Sequence, residues 1–209
     1  MPMPDTPPVL RVRDLHFAWP HGVLFESLGF DVGPGVSLVR GEDGCGKSTL
    51  LALLSGHQPL QRGTVQLGGC SLHTQPESYR RQVFWIDPQT DALDAISAAT
   101  WLASVAPRYP DFRADVLADL IEGFGLAPHL DKPMYMLSTG SKRKVWLSAA
   151  FACGAPLTLI DQPFAALDGP SMRFLRELLQ EAAEHPSRAW LLADHSAPDG
   201  VPLAQVIDL

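Results

Sequence analysis

The chain has 209 residues, enough for one domain with a sizeable core or for a core that carries an inserted lobe. Apolar residues make up 46% and charged residues 19%, and the formal charge of −7 speaks against broad contact with a nucleic-acid backbone, which calls for basic patches. The three cysteines (Cys45, Cys70, Cys153) are odd in number and scattered, which argues against a disulfide framework and fits a reducing cytoplasm. No signal-peptide pattern is read at either end, and no apolar stretch approaches the roughly 20 residues of a spanning helix, so any membrane association is expected to come through a partner.

In chain order, Met1 to Pro8 is Pro-rich and is expected to be disordered or loosely attached. Leu10, Val12, Leu15, Phe17 and Trp19 read as strands that end at the turn-like Pro20-His21-Gly22. Val36 to Val39 reads as a buried strand, followed by a Gly-rich turn and a Leu-rich helix from Lys47 to Ser55 that Gly56 closes. Further apolar runs at Val83 to Ile86, Leu157 to Ile160 and Trp190 to Ala193 complete an α/β pattern with a mainly parallel sheet. Between about Asp91 and Leu147 the period becomes helical, with Phe112, Val116, Leu117, Leu120, Ile121 and Phe124 on one face. Asp111 is the expected cap of that helix, and Gly123 and Gly125 mark its exit. The division expected is an α/β core over 1–88 and 153–209 with a helical subdomain over 89–152. A last helix starts near Pro170 and carries Met172, Leu175, Leu178, Leu179 and Ala182 on one face.

The run Gly41-Glu42-Asp43-Gly44-Cys45-Gly46-Lys47-Ser48 fits G-x-x-x-x-G-K-[ST] without a mismatch and lies between a predicted strand and a predicted helix. Its glycines let backbone N–H groups wrap phosphates at a helix N-terminus. Lys47 would neutralise the β- and γ-phosphates of a nucleoside triphosphate, and Ser48, followed by Thr49, would place a hydroxyl on Mg²⁺. Downstream, Leu157 to Asp161 is an apolar strand that ends in a carboxylate suited to hold Mg²⁺ through water.

Gln162-Pro163-Phe164-Ala165-Ala166-Leu167-Asp168 closely resembles the run D-E-P-x-x-x-L-D of ATP-binding cassette proteins. Leu137-Ser138-Thr139-Gly140-Ser141 stands where that family has L-S-G-G-Q, and Asp194-His195 stands where it has its switch histidine. The resemblance runs from Leu10 to about His195, with the motifs in the family's order. It implies a P-loop NTPase (RecA-like) core with N-terminal antiparallel strands and an inserted helical lobe. It also implies ATP and Mg²⁺ as cofactors, and two cassettes packed head to tail. Ser138 and Gly140 would then cap the γ-phosphate held by the other subunit's Lys47, while Asp168 crosses the interface and His195 senses the γ-phosphate. Trp19 stands at the place of the adenine-stacking aromatic, although a strand-end Trp is also ordinary packing. Gln89 matches the glutamine that ligates Mg²⁺ or the attacking water and reports to a partner.

The pattern also departs from the family. Gln162 stands where the family has the glutamate that activates water. A carboxamide can hydrogen-bond water but cannot take its proton. Either a deliberate Glu-to-Gln change or a native cassette of slow turnover accounts for it. Thr139 and Ser141 replace a glycine and the glutamine of the signature, and Lys142, Arg143 and Lys144 read as a solvated helix face. Cys45 places a thiol inside the phosphate loop, so alkylation is expected to block ATP binding and ATP to protect it.

The length and the phrase from Ala155 to Asp168 are similar to haem-exporter ATPases of cytochrome c maturation, and generic bacterial export ATPases fit equally. The partners implied are a second cassette and separate transmembrane permease subunits on the cytoplasmic membrane face, with Trp85 and Trp101 as docking or core residues. Two other readings stay open: a cassette protein without a transporter, and a binding-only regulatory subunit, which Gln162 favours.

Overall fold

The computed structural model describes residues 7–209, so most of the Pro-rich start lies outside the described residues. β1 (Leu10–Trp19) and β2 (Gly22–Val32) form an antiparallel hairpin around Pro20-His21. Simple alternation from Leu10 and Val12 would bring Asp14 and His16 inward. The register instead shifts after Val12, with Asp14 at φ 49°, and one extra residue turns Leu15 and Phe17 into the core beside Leu10 and Val12.

β3 (Gly35–Arg40) leads through the phosphate loop into α1 (Lys47–Leu54). β4 (Arg62–Leu67) and β5 (Cys70–Ser71) follow, then α2 (Pro76–Arg80) and β6 (Val83–Phe84). Next come three helices, α3 (Ala98–Val105), α4 (Ala114–Gly123) and α5 (Thr139–Ala152). The chain closes with β7 (Leu157–Asp161), α6 (Gly169–Ala183), β8 (Ala189–Asp194) and β9 (Gln205–Asp208).

Among the described residues there are two sheets. One is antiparallel, in the order β2-β1-β4-β5, and the other is parallel, in the order β6-β7-β8-β3-β9. The parallel strands are covered on both faces, which is why β7 and β8 read as continuous apolar runs. Leu50, Leu51, Leu53 and Leu54 of α1 fill the space between the sheets with Leu15, Phe17 and Leu191. The other face of the parallel sheet packs Trp190 and Leu192 on Leu175 and Leu179 of α6 and on α5. This arrangement sets the C-terminal ends of β3, β7 and β8 side by side, the crevice where open α/β sheets bind ligands.

One expectation fails. Arg113, not Asp111, occupies the cap position of α4, and no side chain caps it. The Arg113 amide is already committed to the Ala152 carbonyl at 2.9 Å, and the Asp111 backbone lies against Gly154, where an added Cβ would come within 2.3 Å of the Asp111 carbonyl. Packing of this segment on the end of α5 therefore decides the start of the helix, not local capping chemistry.

Candidate nucleotide site

The phosphate loop is shaped by two left-handed glycines, Gly44 at φ 80° and Gly46 at φ 105°. At Gly46 an added Cβ would also lie 2.9 Å from Leu24 and Phe25, so both backbone and space call for glycine. Lys47 is 6% exposed and donates from Nζ to the carbonyls of Gly41 (2.6 Å) and Glu42 (2.8 Å). Its ammonium thus lies folded over its own loop, with Cys45 Sγ 4.0 Å away. Ser48 and Thr49 follow in the first turn of α1, where free N–H groups favour an anion.

The end of β7 brings Asp161 to the same place. Trp19, Ser48, Thr49, Gln89 and Asp161 all line one cleft of about 370 Å³. Asp43, Gly44, Gly46, Lys47 and Gln162 line a neighbouring cleft of about 200 Å³ that shares Ser48 and Thr49. Burial pushes the Asp161 carboxyl above its ordinary value, and the nearby Ser48 hydroxyl pulls the other way. A hydroxyl, a carboxylate and a carboxamide form an all-oxygen set, which fits a hard cation such as Mg²⁺ that keeps much of its water. Trp19 is 41% exposed and packs edge-on against Phe17, with ring centres 5.0 Å apart.

Gln162 sits at φ 45°, a conformation that costs a non-glycine residue on the order of 1–3 kcal/mol. The surroundings hold it there. Its N–H donates to the Ala193 carbonyl at 2.8 Å, and its own carbonyl accepts from the Ala165 amide (3.0 Å) and from Arg143 Nη1 (2.9 Å). Arg143 Nη1 also donates to the Asp161 carbonyl at 2.6 Å.

The basic run of α5 is therefore not the solvated face expected of it. Arg143 is 8% exposed, and burial pulls its guanidinium below the usual value while Asp161 and Asp194 oppose that shift. Lys142 pairs with Asp94 at 2.6 Å, ahead of α3, and Lys144 pairs with Asp168 at 2.6 Å. Each residue of the run fastens α5 to a different segment. A charge run by itself carries no sign of this, because the partners lie 18 to 48 residues away in sequence.

Ser138 caps α5, accepting the Ser141 amide at 3.1 Å. Gly140 lies under the loop that follows β7, where an added Cβ would come within 2.3 Å of the Ala166 carbonyl. Asp168 caps α6 by accepting the Ser171 amide at 2.9 Å. Its carboxyl is held well below the usual carboxylate range, first by Lys144 and then by Ser171. His195 is exposed, with Nδ1 2.7 Å from Asp194. Ser138, Gly140, Asp168 and His195 line neither nucleotide cleft of their own chain. Sequence reasoning gave no role in the site to Arg143, Asp94 or Asp194. Only Asp194, an acid that closes a strand, had a local signal to find it by.

The ABC transporter family profile matches residues 25–165, a span that includes the phosphate loop, Ser138, Gly140, Asp161 and Gln162. The chain belongs to the ABC transporter family. As an ABC ATP-binding subunit it is 34% identical to the cytochrome c biogenesis ATP-binding export protein CcmA of Pseudomonas syringae pv. syringae, over 83% of this chain and 82% of that protein. It is 30% identical to the taurine import ATP-binding protein TauB of Pseudomonas aeruginosa, over 87% of this chain and 69% of that protein. A solved ATP-binding subunit of an ABC transporter matches with a TM-score of 0.79 at 30% identity, covering 90% of this chain and 79% of that one.

Proposed function

We propose that this ABC subunit binds ATP-Mg between two head-to-tail cassettes, that closure of the pair drives transmembrane subunits, and that Gln162 slows its turnover. One observation carries the reading. Lys47, Ser48, Asp161 and Gln162 converge on adjoining clefts, while Ser138 and Gly140, at the N-terminus of α5, line neither. A second chain would supply the missing half.

The roles of this chain's own residues follow from their chemistry. The loop N–H groups and Lys47, once released from the Gly41 and Glu42 carbonyls, bind the β- and γ-phosphates. Ser48, Asp161 and Gln89, which line one cleft, would hold Mg²⁺, and the ion would supply charge neutralisation to the phosphate oxygens. The exposed Trp19, which lines the same cleft, would stack on the adenine. Gln162 orients water without accepting its proton. Asp168 sits beside the signature turn through Lys144 and couples it to the opposing site, and His195, held by Asp194, reports the γ-phosphate.

The relatives named for cytochrome c biogenesis export favour an export role on the cytoplasmic membrane face. No described helix is long and apolar enough to cross a membrane, so membrane-spanning partners do that work. A groove of about 280 Å³ between Trp85 and Trp101 is the surface assigned to a partner helix.

Gln162→Glu tests the reading. ATPase activity is expected to rise by about 10²–10⁴, the usual worth of a general base. Gln162 itself favours a second reading, a regulatory subunit that binds nucleotide without productive turnover. No gain on restoring the carboxylate in the assembled complex would select it.

A further inference from the structure

Arg143 belongs to no motif of the sequence, yet it joins the signature helix of this chain to its own phosphate-side residues, which in the head-to-tail pair serve two different sites. It lies on α5, whose first residues follow Ser138, and it reaches the last residue of β7. Its Nη1 bonds the carbonyls of both Asp161 and Gln162, the peptide units that set the Mg²⁺ carboxylate and the water-orienting carboxamide. Gln162 holds a left-handed conformation it would not choose alone, so the bonds that pin it determine where its side chain points.

A small cavity of about 30 Å³ lies beside this contact, walled by Arg143, Trp146 and Asp161 among apolar residues. Arg143 Nε, Trp146 Nε1 and Asp161 Oδ1 are all buried and have no protein partner. Asp161 carries the cavity's one side-chain acceptor among the lining residues. Two N–H donors and one carboxylate oxygen, all without a protein partner and all on residues that line a space of that size, suit a single water molecule, which accepts two hydrogen bonds and donates a third.

We propose that Arg143 is a positioning residue: through two carbonyl bonds and one buried water shared with Trp146 and Asp161, it sets the Mg²⁺-side geometry of Asp161 and Gln162 and ties it to the signature helix. The inference deepens the ATP-Mg reading and rests on it.

The test compares ATP affinity of the full chain, by fluorescent-nucleotide titration, with Mg²⁺ and with excess EDTA. Arg143→Met and Arg143→Lys are measured beside the parent, with melting temperature as the folding control. Outer-shell partners of a metal site are typically worth 10- to 100-fold in metal affinity. The Mg²⁺-dependent gain in affinity should therefore fall about tenfold or more in the Met variant and less in the Lys variant, with EDTA affinity unchanged. Trp146→Phe, which keeps the ring and removes its donor, should shift the gain in the same direction. An unchanged gain in a folded Arg143 variant overturns the proposal, and so does an equal loss with and without Mg²⁺, the mark of a merely structural role. If Arg143→Met does not fold, Arg143→Lys decides alone. A parent chain that binds no ATP in either condition contradicts the nucleotide assignment, a separate failure.

Discussion

At the scale of single residues, the site depends on backbone geometry as much as on side-chain chemistry. Gly140 has no room for a Cβ against the Ala166 carbonyl, and both sides of that contact are backbone that cannot rotate away. Gly140→Ala is expected to cost about 1–3 kcal/mol, the range of overpacking, and to displace the start of α5. A lowered melting temperature together with loss of ATP-dependent dimerisation checks it, and wild-type behaviour in both would show that the turn gives way freely. Cys45 makes a second prediction. Its Sγ lies 4.0 Å from Lys47 Nζ, so thiol alkylation should abolish ATP binding and prior ATP should slow the alkylation. Full nucleotide affinity after complete labelling would place the thiol elsewhere. Cys45 was legible in the sequence because the phosphate loop is contiguous, and its geometry follows from eight consecutive positions. Arg143 was not, because its worth lies in two backbone carbonyls 18 and 19 residues away.

At the scale of elements, α5 and α6 are held by caps and by their mutual pairing. Asp168 both caps α6 and pairs with Lys144, and the two contributions can be separated. A lost N-cap typically costs about 1 kcal/mol, whereas a solvent-exposed ion pair is worth about 0–1 kcal/mol. Asp168→Ala should therefore lower stability by about 1 kcal/mol and Asp168→Asn by much less, since asparagine caps nearly as well; chemical denaturation of the two variants gives the comparison. Equal losses would mean that the Lys144 pair dominates. Most strands and helices could be read from apolar runs, because both faces of the parallel sheet are buried and the signal is strong. The bulge at Asp14 and the start of α4 could not. Both are decided by tertiary contact: the Asp14 carbonyl lies where a Cβ on Gly63 would stand, and the Arg113 amide bonds the end of α5.

At the scale of the whole molecule, two sheets, α1 between them and the helices after β6 bring Ser48, Thr49, Asp161 and Gln162 to adjoining clefts. The fold's acid limit should be set partly by imidazoles. His185 accepts the amides of Ser187 and Arg188 at Nδ1, and burial, with Arg188 close by, pulls its pKa below 6.5. With a depressed folded value the unfolded chain takes up protons first, so stability is full above pH 6.5 and declines as pH falls through the folded value. His185→Phe should reduce the drop in melting temperature between pH 7 and about pH 5. An identical drop in the variant would assign the acid loss to other groups. The proposed two-chain site has the larger consequence. The phosphate loop and the signature turn were both legible in the sequence, and in the fold they line separate surfaces of the same chain. Sedimentation velocity of the full chain with and without ATP-Mg tests this most directly. The account predicts a monomer that becomes a dimer on ATP-Mg, persists because Gln162 slows turnover, and is abolished by Ser138→Arg. A chain that binds ATP-Mg stoichiometrically and remains monomeric at saturation would contradict it.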